Sequence, residues 1–247
     1  MAEEIDVWKT RKIDVHVHIG VDKNKNDKFR PTELENQMEK YNIKKTLIFP
    51  FNIDLDDCFR KANNMVYRLS SRYEPLEGLA RIDPDHEDWR KEMERAFGLE
   101  LKGFKLNPVS QNFECDQIEH VYEQASKLNL PLLINTSDED GKYESQLKEI
   151  LPSYPDITII LTQLKDTKTE MVDLISEKKN LFIESSDFKK QHLEALYFKL
   201  DEEKIMFGSD SPYNSIKKAL KKMDIDWRSE EDKEKIFFEN ARRVFDL

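Results

Sequence analysis

Glycine is scarce in this sequence, with 6 among 247 residues, against an average near 7%. No glycine-rich phosphate loop can be read from so few, which removes the usual mark of an open, doubly wound nucleotide-binding sheet. Cysteine is scarcer still. Cys58 and Cys115 stand 57 positions apart, a spacing that makes neither a redox pair nor a zinc ribbon and suits a reducing compartment. Long apolar runs are also missing: stretches such as Leu47 to Phe51 and Ile157 to Leu161 are strand-sized, far short of a membrane span. The opening residues, Met-Ala-Glu-Glu-Ile-Asp, lack the basic start and apolar core of a signal peptide, so the expected compartment is the cytoplasm. Positive charge is in the minority, 40 Lys and Arg against 50 Asp and Glu for a net charge of −10. That balance argues against nucleic acid as a partner, and the run Lys217-Lys218-Ala219-Leu220-Lys221-Lys222 reads as a solvated helix face.

What is present is a regular alternation. Hydrophobic residues make up 38% and charged residues 36%, and short β-branched runs alternate with longer charged segments of helical period along the whole chain. Candidate strands are Lys12–Ile19, Lys45–Pro50, Leu76–Ile82, Leu101–Asn107, Pro131–Asn135, Asp156–Thr162, Asn180–Glu184 and Lys204–Gly208. Amphipathic stretches fall near 31–41, 55–72, 86–97, 114–128, 143–151, 167–178, 188–199, 214–223 and 229–243, and Pro31-Thr32-Glu33-Leu34-Glu35 and Thr167-Lys168-Thr169-Glu170 carry the capping-box pattern. Strands alternating with helices imply parallel pairing through right-handed crossovers. Eight such units in under 250 residues predict an α/β fold, a single (β/α)8 TIM barrel occupying 1–247 as one domain.

The sharpest local signal is Asp14-Val15-His16-Val17-His18. Strand side chains alternate faces, so Asp14, His16 and His18 are expected on one face, with Val15 and Val17 packing outward against helices. Two imidazoles two residues apart at the end of a strand serve either as ligands to one transition metal or as a hydrogen-bonded core pair. In Ile205-Met206-Phe207-Gly208-Ser209-Asp210-Ser211-Pro212, an apolar strand runs into a small residue and then an acid. Asp210 therefore sits at the rim where barrel enzymes place their chemistry, or else caps the following helix. In Lys102-Gly103-Phe104-Lys105-Leu106-Asn107-Pro108, alternation turns Lys105 and Asn107 inward; a buried lysine there is either a site residue or half of a structural ion pair.

These residues resemble the amidohydrolase superfamily, in its branch of amidohydrolase-related metal-dependent hydrolases and decarboxylases. The resemblance runs from Ile13-Asp14-Val15-His16-Val17-His18 through Gly78-Leu79-Ala80-Arg81-Ile82-Asp83-Pro84 and Gly103-Phe104-Lys105-Leu106-Asn107-Pro108. It continues in Phe207-Gly208-Ser209-Asp210-Ser211-Pro212 and closes with Asn240-Ala241-Arg242-Arg243-Val244-Phe245. It implies that His16, His18 and Asp210 are metal ligands, with Zn2+ the usual ion and Mn2+ the other candidate. The family adds a histidine at the ends of the fifth and sixth strands; here Asn135 and Gln163 stand in those places. Neutral amides can orient a substrate, but neither takes a proton near neutral pH. His86, His120 and His192 fall in predicted helices; Glu184 and Asp138 lie near strand ends within reach of the site, and read first as loop or capping carboxylates.

Three readings follow. The first is a metal-dependent hydrolase or related non-oxidative decarboxylase acting on a small carbonyl or carboxylate substrate through water held on His16, His18 and Asp210. In it, Asp210 and Lys105 are catalytic, and Asn107, Asn135 and Gln163 bind substrate. The second is a non-catalytic barrel serving as a ligand-binding or assembly subunit, and the third a metal-free enzyme using Asp210 and Lys105. The expected partners are a small-molecule substrate and, by resemblance, a second copy of the chain. Neither nucleic acid nor membrane is expected. Val21–Phe29, rich in Asp, Asn and Lys, is expected as a loop over the site.

Overall fold

The computed structural model describes residues 7–22, 27–51, 59–108, 113, 115–136, 142–164 and 169–247. In chain order the elements are β1 (Lys12–Asp22), β2 (Asp27–Phe29), α1 (Pro31–Lys40), β3 (Ile43–Pro50), α2 (Phe59–Arg72), β4 (Leu76–Gly78), β5 (Ala80–Arg81), α3 (Trp89–Gly98), β6 (Phe104–Leu106) and α4 (Cys115–Leu128). There follow β7 (Leu132–Asn135), α5 (Lys142–Ile150), β8 (Ile159–Thr162), α6 (Thr169–Glu177), β9 (Leu181–Glu184), α7 (Lys190–Lys199), β10 (Ile205–Met206), α8 (Ile216–Lys222), α9 (Glu230–Glu234) and α10 (Asn240–Phe245). A π-helical turn, Lys235–Glu239, joins the last two helices.

The strands pair in parallel as β1-β3-β4 and β5-β6-β7-β8-β9-β10. One stave links the two sheets, because β4 and β5 are separated by Leu79 alone. Leu79 N donates to Ile48 O (2.9 Å), while Ala80 N donates to Gly103 O (3.0 Å). On the opposite side Val15 N donates to Phe207 O (3.0 Å), Asp210 N to His16 O (2.9 Å) and His18 N to Ser211 O (2.8 Å). These bonds join the last stave to the first, and the fold is the (β/α)8 TIM barrel that the alternation predicts.

Side chains fill the barrel in layers. Ile13, Val15, Leu47, Phe49, Leu79, Leu133, Ile160, Phe182 and Met206 form one apolar cluster, closed at the strands' N-terminal end by Ala241 and Phe245 of α10. Their neighbours in sequence, such as Val17, Ile48, Leu106, Ile134 and Ile183, pack against the surrounding helices. Alternation thus holds, apart from a break within β1. On β1 the register passes from Asp14↔Thr46 to Val17↔Ile48, three steps against two on β3, which is a β-bulge. Below it Ile13 and Val15 face inward; above it His16 and His18 do. The expectation that Val15 packs outward and that Asp14 shares the histidines' face is therefore corrected. Asp14 turns into the wall, where its Oδ1 accepts from Ser209 N (2.9 Å) and His16 N (3.2 Å).

Three local readings change as well. The N-cap of α1 is Arg30, not Thr32, and the carboxylate that accepts from its N is Glu33 (2.9 Å), so the box expected on Thr32 does not form in that register. Thr167 and Lys168 lie outside the described residues. His86 sits in the turn before α3, where its Nδ1 accepts from Asp88 N (3.1 Å), rather than in a helix. Part of the loop expected over 21–29 is strand, since Gly20, Val21 and Asp22 pair with Phe29, Lys28 and Asp27 in an antiparallel hairpin. Among the described residues no helix is long and apolar enough to cross a membrane.

Candidate metal centre and the residues around it

The bulge on β1 brings His16 and His18 to the C-terminal end of the barrel on one face. Asp210 meets them from the end of the last stave. It occupies the left-handed region (φ 58°), which aspartate tolerates better than most residues. That conformation is held by the bond from Asp210 N to His16 O and by Asn214, whose N donates to Asp210 O (2.9 Å) and whose Nδ2 donates to Oδ2 (3.3 Å). Both Nε2 atoms lie 3.3 Å from Asp210 Oδ1. One nitrogen or oxygen from each of the three residues falls within 4.8 Å of the others, and all three side chains are buried.

The protonation states suit a cation. Burial pushes the His18 imidazole down to about 4 against the pull of Asp210, so it is neutral at pH 7. Burial alone would raise the Asp210 carboxyl, but His18, His16 and Lys105 outweigh it and hold the group below the ordinary carboxylate range. Asp210 Oδ1 is nevertheless buried without a well-aligned donor among the described residues. An orphaned anionic oxygen between two imidazoles is costly unless something positive is bound there. Two nitrogens and one carboxylate oxygen also form a donor set known for catalytic zinc and suited to manganese. The residues therefore fit a divalent ion.

Aromatic rings wall one side. Phe49 lies 4.7 Å from the His18 ring and 5.2 Å from His16, Phe51 stacks on His18 at 5.6 Å, and Tyr213 meets His18 edge-on at 4.8 Å. The Tyr213 hydroxyl donates to Asp22 Oδ2 (2.8 Å), tying the β1–β2 hairpin to the rim.

Two buried cations face the same space. Lys105 and Arg81 are register partners on adjacent strands. Lys105 Nζ donates to Thr162 Oγ1 (3.3 Å), lies 5.4 Å from the Phe49 ring centre, and is pushed down to about 8 by burial, despite the pull of Glu184 and Asp210. Arg81 Nη1 donates to Phe51 O (2.7 Å), while its Nε is buried without a partner among the described residues; burial lowers the guanidinium to about 10.

On the rim beyond Lys105, Asn135 Nδ2 donates to Gln163 Oε1 (2.6 Å) and toward Asn107 Oδ1 (3.3 Å). The expected site residues His16, His18, Asp210, Lys105, Asn107, Asn135 and Gln163 thus all converge on one end of the barrel, with Asn135 and Gln163 bonded to each other. Asp138 lies outside the described residues. Sequence reasoning undervalued Glu184: far from being a loop carboxylate, it ends β9 fully buried, with Oε1 3.2 Å from His16 Nδ1. It also missed Arg81 and Tyr213. The signal for Arg81 was the one used for Lys105, a cation between apolar neighbours in a strand. For Glu184 it was an acid closing an apolar run, as Asp210 does.

Comparison with known proteins supplies the wider setting. Residues 13–247 match the family model described as Amidohydrolase. No curated protein matches the sequence. The fold is shared with 5-carboxyvanillate decarboxylase from Sphingomonas paucimobilis (TM-score 0.78, 14% identity, covering 97% of this chain and 100% of that one). It is shared too with 2,6-dihydroxybenzoate decarboxylase from Rhizobium (0.74, 17%, 96% and 99%). A third relative is the dihydroxybenzoic acid decarboxylase of Polaromonas sp. JS666, whose structure contains manganese and the inhibitor 2-nitroresorcinol (0.74, 18%, 96% and 97%). At these identities the likeness is one of fold.

Proposed function

The chain belongs to the amidohydrolase family, and from that premise we propose that it is a single-domain, metal-dependent hydrolase or non-oxidative decarboxylase of small carboxylate-bearing substrates. The observation that carries this reading is the convergence of His16 Nε2, His18 Nε2 and the orphaned Asp210 Oδ1. These three residues would hold the ion, with manganese favoured by the Polaromonas relative and zinc the other candidate. When bound, a divalent ion supplies Lewis acidity and brings the pKa of a coordinated water toward about 7.

The chain's own side chains do the rest. Like charges on neighbouring strands repel, yet Arg81 and Lys105 are both buried, and among the described residues neither has a carboxylate within ion-pair distance. A substrate carboxylate or developing oxyanion placed between them relieves both costs. Lys105, with a pKa near 8, can also give or take a proton close to neutrality. Asn107, Asn135 and Gln163 orient the substrate and carry no proton. Phe49, Phe51 and Tyr213 offer a flat apolar wall suited to an aromatic ring.

The test is a turnover screen of manganese- and zinc-loaded protein against hydroxybenzoates, other small carboxylic acids, and esters or lactones that carry a carboxylate. Release of carbon dioxide or of new acid is expected for at least one class. Arg81→Gln should lower kcat/KM on that substrate about 10- to 100-fold, the worth of a hydrogen bond to a charged group. No turnover with either ion, in protein that does bind the ion, favours the non-catalytic barrel instead; the two amides in place of proton-carrying groups are its supporting feature.

A further inference from the structure

One buried carboxylate has no part in the chemistry above. Glu184 ends β9 with no exposed surface. Its Oε2 accepts from Ser186 N (2.8 Å) and its Oε1 from Ser186 Oγ (2.7 Å). Both oxygens thus act as acceptors, and His16 Nδ1, 3.2 Å from Oε1, is placed as a third donor. Lys222 Nζ donates to Ser186 O and fastens the turn that supplies two of these donors.

Room for the carboxylate is made on the next stave. A Cβ added to Gly208 would lie 2.0 Å from Glu184 Oε2 and 3.1 Å from His16 Cβ. No side chain fits there while Glu184 keeps its place. In a chain with so few glycines, this one stands where a carboxylate passes behind an imidazole.

We propose that Glu184 is the positioning residue for His16: by holding the Nδ1 proton it aims the Nε2 lone pair at Asp210 Oδ1 and His18 Nε2, and so sets the affinity of the site for a divalent ion. This rests on the metal reading above. A carboxylate behind a ligating imidazole fixes its tautomer and ring orientation and raises its basicity, and losing such a partner typically weakens metal binding about 10- to 100-fold. With two imidazoles and one carboxylate oxygen in the candidate ligand group, the orientation of each ring weighs heavily on binding. Gly208 serves the same end by leaving the space open.

The experiment has two readouts. Free Mn2+ is followed by electron paramagnetic resonance during titration of wild type, Glu184→Gln and Gly208→Ala. In metal-free protein, imidazole 15N shifts report which His16 nitrogen carries the proton. Glu184→Gln keeps the shape of the side chain and removes its charge. Expected are a 10- to 100-fold weaker Mn2+ affinity in both variants, a protonated Nδ1 in wild type, and loss of that single tautomer in Glu184→Gln, with circular dichroism unchanged. Should either variant fail to fold, Ser186→Ala removes one donor from Glu184 and is expected to weaken Mn2+ binding by a few-fold. Wild-type affinity in folded Glu184→Gln, or a wild-type His16 protonated at Nε2 only, overturns the positioning role and leaves the metal reading standing. Wild type that takes up neither Mn2+ nor Zn2+ overturns the metal reading, and this inference with it.

Discussion

Lys105 shows how far a single side chain can be pushed before it needs a ligand. Its folded pKa, about 8, lies below the ordinary 10.5 because burial penalises the ammonium. Between those values the unfolded chain binds more protons than the native one, so stability rises with pH across that window. Below pH 8 the penalty is fully present; above about 10.5 it is gone. Lys105→Met should therefore raise stability at pH 7 by about 3 kcal/mol, an order-of-magnitude figure from the size of the shift, and the gain should vanish near pH 11. Denaturant melts of both proteins across that range would check it, and a pH-independent difference would mean that packing rather than charge is responsible. Lys105, His16 and His18 were legible in the sequence because each interrupts an apolar strand with chemistry, and Asp210 because it follows one closely. Glu184 and Arg81 obey the same rule. Acids at strand ends so often serve as caps that position alone does not single out Glu184, and arginine is seldom buried, so its type does not single out Arg81.

At the scale of the element, the bulge on β1 decides which side chains reach the site. Without the extra residue, strict alternation would place Ile13, Val15 and the histidines on opposite faces, and the inward apolar layer could not share a strand with the inward imidazoles. No residue in Ile13-Asp14-Val15-His16 marks a bulge by its type, which is why strand boundaries were readable and the facing of Val15 was not. The structure supplies the reason: Asp14 Oδ1 gathers the amides of His16 and Ser209, satisfying two buried donors at the kink. Asp14→Ala should cost about 1–3 kcal/mol for each amide left without an acceptor, whereas Asp14→Asn retains an acceptor oxygen and should cost much less. Equal losses in the two variants would assign Asp14 a role by charge. At the other end of the barrel, Phe245→Ala should cost about 3–5 kcal/mol, the usual loss for emptying a large buried ring position, with the site's metal affinity unchanged because the plug lies beyond the apolar layer.

For the whole molecule, parallel staves joined by helices leave one end of the barrel for chemistry and the other for stability. Asp210, Glu184, Lys105, Asn107, Asn135 and Gln163 come from strand ends spread over more than a hundred residues, and ring closure through Val15–Phe207 and His18–Ser211 sets the last of them beside the first. That architecture was legible because each of the eight units repeats the same apolar-then-amphipathic pattern. The site was legible in its residue types and hidden in its mutual geometry, since the pairing of Glu184 with His16 depends on a contact 168 positions apart in sequence. The central claim is that His16, His18 and Asp210 hold one divalent ion, and its most direct test is metal content by elemental analysis. Protein purified without chelators or nickel resin should carry, or take up, close to one equivalent of manganese or zinc, lost in both His16→Ala and Asp210→Ala. Folded wild-type protein that neither carries nor takes up either ion, or variants that retain it in full, would contradict the claim.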